Sequence, residues 1–88
     1  MLAWAKRVLK NAVLSGADLR GFDLSEFQFT GKANLEKADL AVAKLVGADL
    51  WGANFKDAIG LTAYQLSRAT NFAKALNIPA DVRKEVGI

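Results

Sequence analysis

The sequence predicts an all-β solenoid closed by short helical caps. Three observations carry this: a five-residue period, Leu or Phe at every repeat centre, and a small residue two places before it. Cut in fives, the chain reads AVLSG, ADLRG, FDLSE, FQFTG, one extra Lys32, then ANLEK, ADLAV, AKLVG, ADLWG and ANFKD. The centres are Leu14, Leu19, Leu24, Phe29, Leu35, Leu40, Leu45, Leu50 and Phe55, all nine of them Leu or Phe although these two types make up only 17 of the 88 residues. Nine random hits would arise roughly 3 times in 10⁷ for a fixed phase, so the period is real. Ala stands two places before the centre at Ala12, Ala17, Ala33, Ala38, Ala43, Ala48 and Ala53, and Phe22 and Phe27 take that place in the other two repeats.

The period selects the backbone. A helix turns about 100° per residue, so centres five apart would be displaced by about 140° and no apolar stripe would survive. In a strand the centre and the residue two before it share a face, but five is odd, and a straight strand would turn the next pair outward. A bend once per repeat keeps every pair facing one interior, and Gly16, Gly21, Gly31, Gly47 and Gly52 stand where such a corner wants a permissive backbone. Stacked windings of this kind form a tube cored by Leu and Phe beside Ala.

These residues resemble the pentapeptide-repeat family, whose pattern is A(D/N)LXX; ADLRG, ANLEK, ADLAV, ADLWG and ANFKD are close matches. The resemblance covers 12–57 and implies a right-handed quadrilateral β-helix of about two coils, with four repeats per coil. The tail GLTAYQLSRATNFAKAL also resembles the helical end that many members carry. Departures from the pattern include Phe22 and Phe27 at the small position, Lys44 in the Asp/Asn slot, and the insertion at Lys32. Four repeats per coil set Asp23 beside Lys44, Glu36 beside Lys56 and Lys37 beside Asp57, with Asp18 over Asp39 as a like pair. They also set Phe22 against Ala43, a large-over-small match that conserves interior volume.

Both ends of such a tube need covers. Residues 58–88 are expected to be a helical cap: Thr62 and Gln65 have capping-box spacing, Asn71 is a second cap candidate, and Pro79 and Gly87 bracket a last turn. Ile59, Leu61, Leu66, Phe72, Leu76 and Ile78 supply apolar cover. Residues 1–11 are expected to be an N-terminal cap segment. Leu2, Ala5, Leu9 and Ala12 approximate one helical face, and the alternative continues the five-residue phase through Leu9 and Trp4, which sets Arg7 at an interior position.

Composition narrows function. With no His and no Cys, there is no imidazole acid or base, no thiolate nucleophile and no disulfide. Ser15, Ser25 and Ser67 therefore lack a His partner, and Asp18, Asp39 and Asp49 recur as part of the repeat, where their oxygens bond corner amides, more readily than as a metal cluster. No enzyme activity, cofactor or metal is expected. The net charge of +3 divides unevenly: Lys6, Arg7 and Lys10 precede an acidic middle, and Arg68, Lys74, Arg83 and Lys84 follow it. A nucleic-acid binder would gather its cations on one face, and the repeat region lacks this. No run of about 18 apolar residues or signal-peptide pattern is present, so a cytoplasmic protein is expected.

The expected function is a non-enzymatic protein-interaction or scaffold module. Its candidate partner surface is Val42, Val46 and Trp51, apolar residues in outward slots that hold polar ones elsewhere. A homodimer is expected through Tyr64, Val82, Val86 and Ile88. The partner is expected to be a protein, with neither nucleic acid nor membrane as its target. Two alternatives stay open: a DNA-mimic type of topoisomerase binding, which some relatives in the resembled family show, and weak membrane attachment through the basic N-terminal segment.

Overall fold

The computed structural model describes residues 7–88. The chain winds so that each repeat comes to lie beside another four repeats on. Val8 bridges Gln28, Asn34 bridges Asn54 and Asp39 bridges Ile59, each pair 20 residues apart and parallel. Pairs whose span includes Lys32, such as Val13 with Asn34 and Asp23 with Lys44, are 21 apart, so the insertion is absorbed at one corner without shifting the register. At that corner Asn11 Oδ1 accepts the Lys32 N–H at 2.8 Å.

The all-β expectation is corrected by this backbone. Among the described residues no run forms a strand and no sheet is present; nine isolated parallel bridges take their place, and the named regular elements are helical. The reason lies in the period itself. A corner every fifth residue leaves about three extended residues between turns, and only the middle one is bridged, whereas a strand needs a run of paired residues. The predicted right-handed quadrilateral β-helix built of sheets is therefore not what forms.

Every described corner of the repeats except the one at Lys32 is closed by an N–H donating three residues back, as from Ala17 to Leu14 at 3.0 Å and from Ala53 to Leu50 at 3.1 Å. The third residue of the turn is left-handed in every repeat. Gly holds that place at 16, 21, 31, 47 and 52, but Asn11, Glu26, Lys37, Val42 and Asp57 hold it elsewhere with φ between 52° and 63°. The carboxylate or amide of the Asp/Asn slot braces the same corner: Asp18, Asp23, Asn34, Asp39, Asp49 and Asn54 each accept the N–H two residues on, at 2.9–3.2 Å.

The interior is the Leu/Phe and Ala column, and burial deepens away from the N-terminal end. Leu9 and Leu14 are half-buried, Leu19 and Leu24 are buried, and Phe29, Leu35, Leu40, Leu50 and Phe55 are sealed. Phe22, expected inside, is 54% exposed on the first winding. Residues 7–11 follow the repeat and not a helix: Val8 is bridged, Leu9 donates to Gln28, and Lys10–Asn11 turn. Arg7 is accommodated at its interior position because its guanidinium donates to the Ser25 carbonyl at 2.7 Å and lies 5.8 Å from the Phe27 ring centre. The remainder of the expected N-terminal helix, with Leu2, Trp4 and Ala5, lies outside the described residues.

The C-terminal segment mixes helices with further bridges. Helix α1, Ala63–Arg68, starts at the Thr62–Gln65 capping box; a 3₁₀ turn covers Phe72–Lys74; helix α2, Ala80–Val86, ends at left-handed Gly87. Thr70 and Leu76 still bridge Asp49 and Asn54. Leu61, Leu66, Ala69, Ile78 and Val82 close the core, while Ile59 and Leu76 sit in the outward bridge slot and are half exposed. Asn71 makes no cap bond and instead donates from its side chain to Asp49 Oδ1 at 2.9 Å.

Candidate functional site

The distinctive local geometry lies where α1 meets the wall of the second winding. From Leu9 to Phe55, each of ten repeat centres but one donates its N–H to a later winding or turn at 2.7–3.0 Å. The exception is Leu45, whose N–H has no acceptor among the described residues. Asp39 bridges Ile59 and Asp49 bridges Thr70, but Lys44, between them, has no partner on that side because α1 crosses there in place of a bridged residue. One half of the missing rung is replaced: the Gln65 side-chain amide donates to the Ala43 carbonyl at 3.0 Å and to the Leu40 carbonyl at 2.8 Å.

Beside this gap lies a half-open cleft of about 590 Å³, lined by Val42 to Val46 on the wall and by Thr62, Tyr64, Gln65 and Arg68 of the α1 segment. Val42, Val46 and Tyr64 are 82%, 50% and 71% exposed. The Arg68 guanidinium lies 5.6 Å from the Tyr64 ring centre, which positions a cation over an aromatic at the rim. No described carboxylate lies within ion-pair distance of Lys44 or Arg68.

The structure therefore divides the sequence-predicted residues differently. Val42 and Val46 share the cleft with Tyr64, which was expected on the dimer surface. Trp51, 51% exposed, stands outside it, with Lys74 Nζ 5.4 Å from its ring centre. Of the other dimer candidates, Val82 is buried in the chain's own core, Val86 is half-buried against it, and Ile88 is exposed. Arg68 and the bare Leu45 amide were missed. Lys44, which stands in the Asp/Asn slot where the rung is lost, is not by itself a signal for them, because Val13 and Gln28 also depart from that slot and keep their bridges.

Elsewhere the electrostatics are those of corners. Arg20 bonds both oxygens of Asp18 at 2.9 Å and reaches Asp39 at 3.8 Å, so the like pair read from the register shares one cation. The Arg20 side chain, with its backbone N–H, lowers the Asp18 carboxyl to about 2. Hydrogen bonds from Ser25 likewise hold Asp23 below the usual carboxylate range. The described residues contain no group of three or more metal-ligating side chains, and no described helix is long and apolar enough to cross a membrane.

No curated protein and no solved structure matches the chain. The family model for pentapeptide repeats matches residues 8–31 and 32–59 in eight copies, more than half of the chain. With the repeat register and the corners already described, that match makes this chain a member of the pentapeptide-repeat family.

Proposed function

We propose that the chain is a non-enzymatic protein-interaction module whose docking face is the second-winding wall around Val42, Val46 and Trp51. The supporting observation is Val42: a β-branched residue held at φ 52° with its side chain 82% exposed. A β-branched residue in the left-handed region is strained by about 1–2 kcal/mol, and this one recovers little of that by burial. Strain and exposed apolar surface at one position favour a contact made outside the chain. The absence of His and Cys from the sequence supports the non-enzymatic reading.

Affinity capture from a native extract tests it. The wild type and Arg20→Ala, altered on another wall, retain the same partner, whereas Val46→Lys and Trp51→Ala lose it. Identical retention by all four proteins overturns the assignment of this face.

A further inference from the structure

The cleft's chemistry narrows the class of partner. Its polar groups are almost all donors: Lys44, Arg68, the Tyr64 hydroxyl and the Leu45 N–H. The Val46 N–H adds another, because Lys44 stands where Asp or Asn braces this N–H at six other corners, and among the described residues nothing accepts from it. Three of the nearby acceptors are already engaged. Ala43 O takes the Gln65 amide, Tyr64 O takes the Ser67 hydroxyl at 2.8 Å, and Thr62 Oγ1 takes the Gln65 N–H at 3.2 Å. Between these donors the exposed surface is apolar, from Val42, Val46 and the Tyr64 ring.

Resting on the protein-binding reading above, we infer that this cleft binds a short extended segment of a partner protein carrying an apolar side chain next to a carboxylate. The apolar side chain covers Val42 and Val46, and the carboxylate meets Arg68 and Lys44. A main-chain carbonyl of the segment accepts from Leu45, completing the rung that Gln65 half replaces. Charge complementarity selects an acidic segment: two cations without a described ion-pair partner flank an apolar floor. Completing a ladder with an extended peptide is strand addition reduced to one rung.

The test uses the full chain with three fluorescein-labelled decapeptides: alternating Glu–Leu, its Lys–Leu counterpart, and Glu–Ser. By anisotropy the Glu–Leu peptide binds at least tenfold more tightly than either of the others, and amide NMR shows the Leu45 and Val46 resonances moving on titration. Arg68→Glu weakens the Glu–Leu peptide at least tenfold and strengthens the Lys–Leu peptide, while Arg83→Glu on α2 changes neither by more than about twofold. An unchanged circular-dichroism melt shows that each variant is folded. No binding of the Glu–Leu peptide up to millimolar concentration, equal binding of both charged peptides, or unmoved Leu45 and Val46 amides each overturns the proposal. Loss of binding with Trp51→Ala but not with Arg68→Glu also overturns the cleft, yet leaves the docking wall standing. The wall itself fails only if its own variants retain the captured partner.

Discussion

The Gln65 side-chain amide lies 3.0 Å from the Ala43 carbonyl, in the place that a main-chain N–H takes at every other rung. One side chain thus joins the helix to the winding. Its Oε1 accepts the Thr62 N–H at 2.7 Å and completes the capping box, while its Nε2 satisfies a carbonyl that has no other described partner. The residue is buried, so neither role passes to bulk solvent when it is removed.

Gln65→Ala is accordingly expected to cost about 2–4 kcal/mol, from a stranded carbonyl and a weakened cap. Gln65→Glu keeps an acceptor for Thr62 but turns a carboxylate oxygen toward Ala43. The folded state then favours the protonated acid, raising its pKa above the unfolded value near 4.3. The variant is nearest to wild type below that value and loses stability as pH rises through the raised folded pKa. Urea melts at several pH values check the sign.

Gly60 and Gly16 separate steric need from conformational need. Both are left-handed, at φ 74° and 68°, but a Cβ on Gly60 would lie 2.7 Å from the Ala41 N and Cα, whereas nothing lies within 4 Å of one on Gly16. Gly16→Ala therefore carries only the backbone strain of about 1–2 kcal/mol. Gly60→Ala adds a clash with main chain that cannot rotate away, for about 3 kcal/mol or more. Equal thermal shifts for the two variants would contradict this packing.

Asp18 sets a pH dependence at the acid end. Its folded pKa, about 2 against an ordinary value of 3.8, is depressed first by its side-chain bond to Arg20. A depressed carboxylate contributes stability that is present above the unfolded value and lost as pH falls through the folded one. Asp18→Asn keeps the brace on the Arg20 N–H and removes the charge. Its melting temperature should fall slightly below wild type near pH 6 and converge with it between about pH 4 and pH 2. The effect is small because both side chains are solvent-exposed.

Much of this was legible in the sequence because the period constrains side chains strongly. Leu or Phe at each centre fixed which residues face inward, and the position of Lys32 set paired repeat residues 21 apart across it and 20 apart after it, a spacing that ends where the C-terminal segment begins, at Asp49 with Thr70 and Asn54 with Leu76. What the pattern hid was length: it demanded a bend every repeat, and that same bend leaves too few consecutive paired residues for strands, so the all-β class did not follow. The N-terminal limit was misread for a different reason. Arg7 at an interior position argued against continuing the repeat, but the Ser25 carbonyl and the Phe27 ring compensate it, and both contacts join residues some twenty apart. The cleft was half legible. Val42 and Val46 stand out against polar neighbours, but their meeting with Tyr64 and Arg68 depends on where α1 crosses the wall, and no local spacing encodes that.

Val42 gives the test in which stability and binding move in opposite directions. In the left-handed region its Cβ crowds the following carbonyl, and at 82% exposure the side chain recovers little packing in return. Glycine removes the crowding, a relief of about 1–2 kcal/mol, and gives back about 0.5–1 kcal/mol through the greater freedom of the unfolded chain. Val42→Gly should thus raise stability by about 0.5–1 kcal/mol in a urea melt. It also deletes apolar surface from the cleft, so the Glu–Leu decapeptide should bind about threefold to tenfold more weakly. A variant that is both less stable and unchanged in binding would mean that Val42 is packed against its own chain and faces no partner.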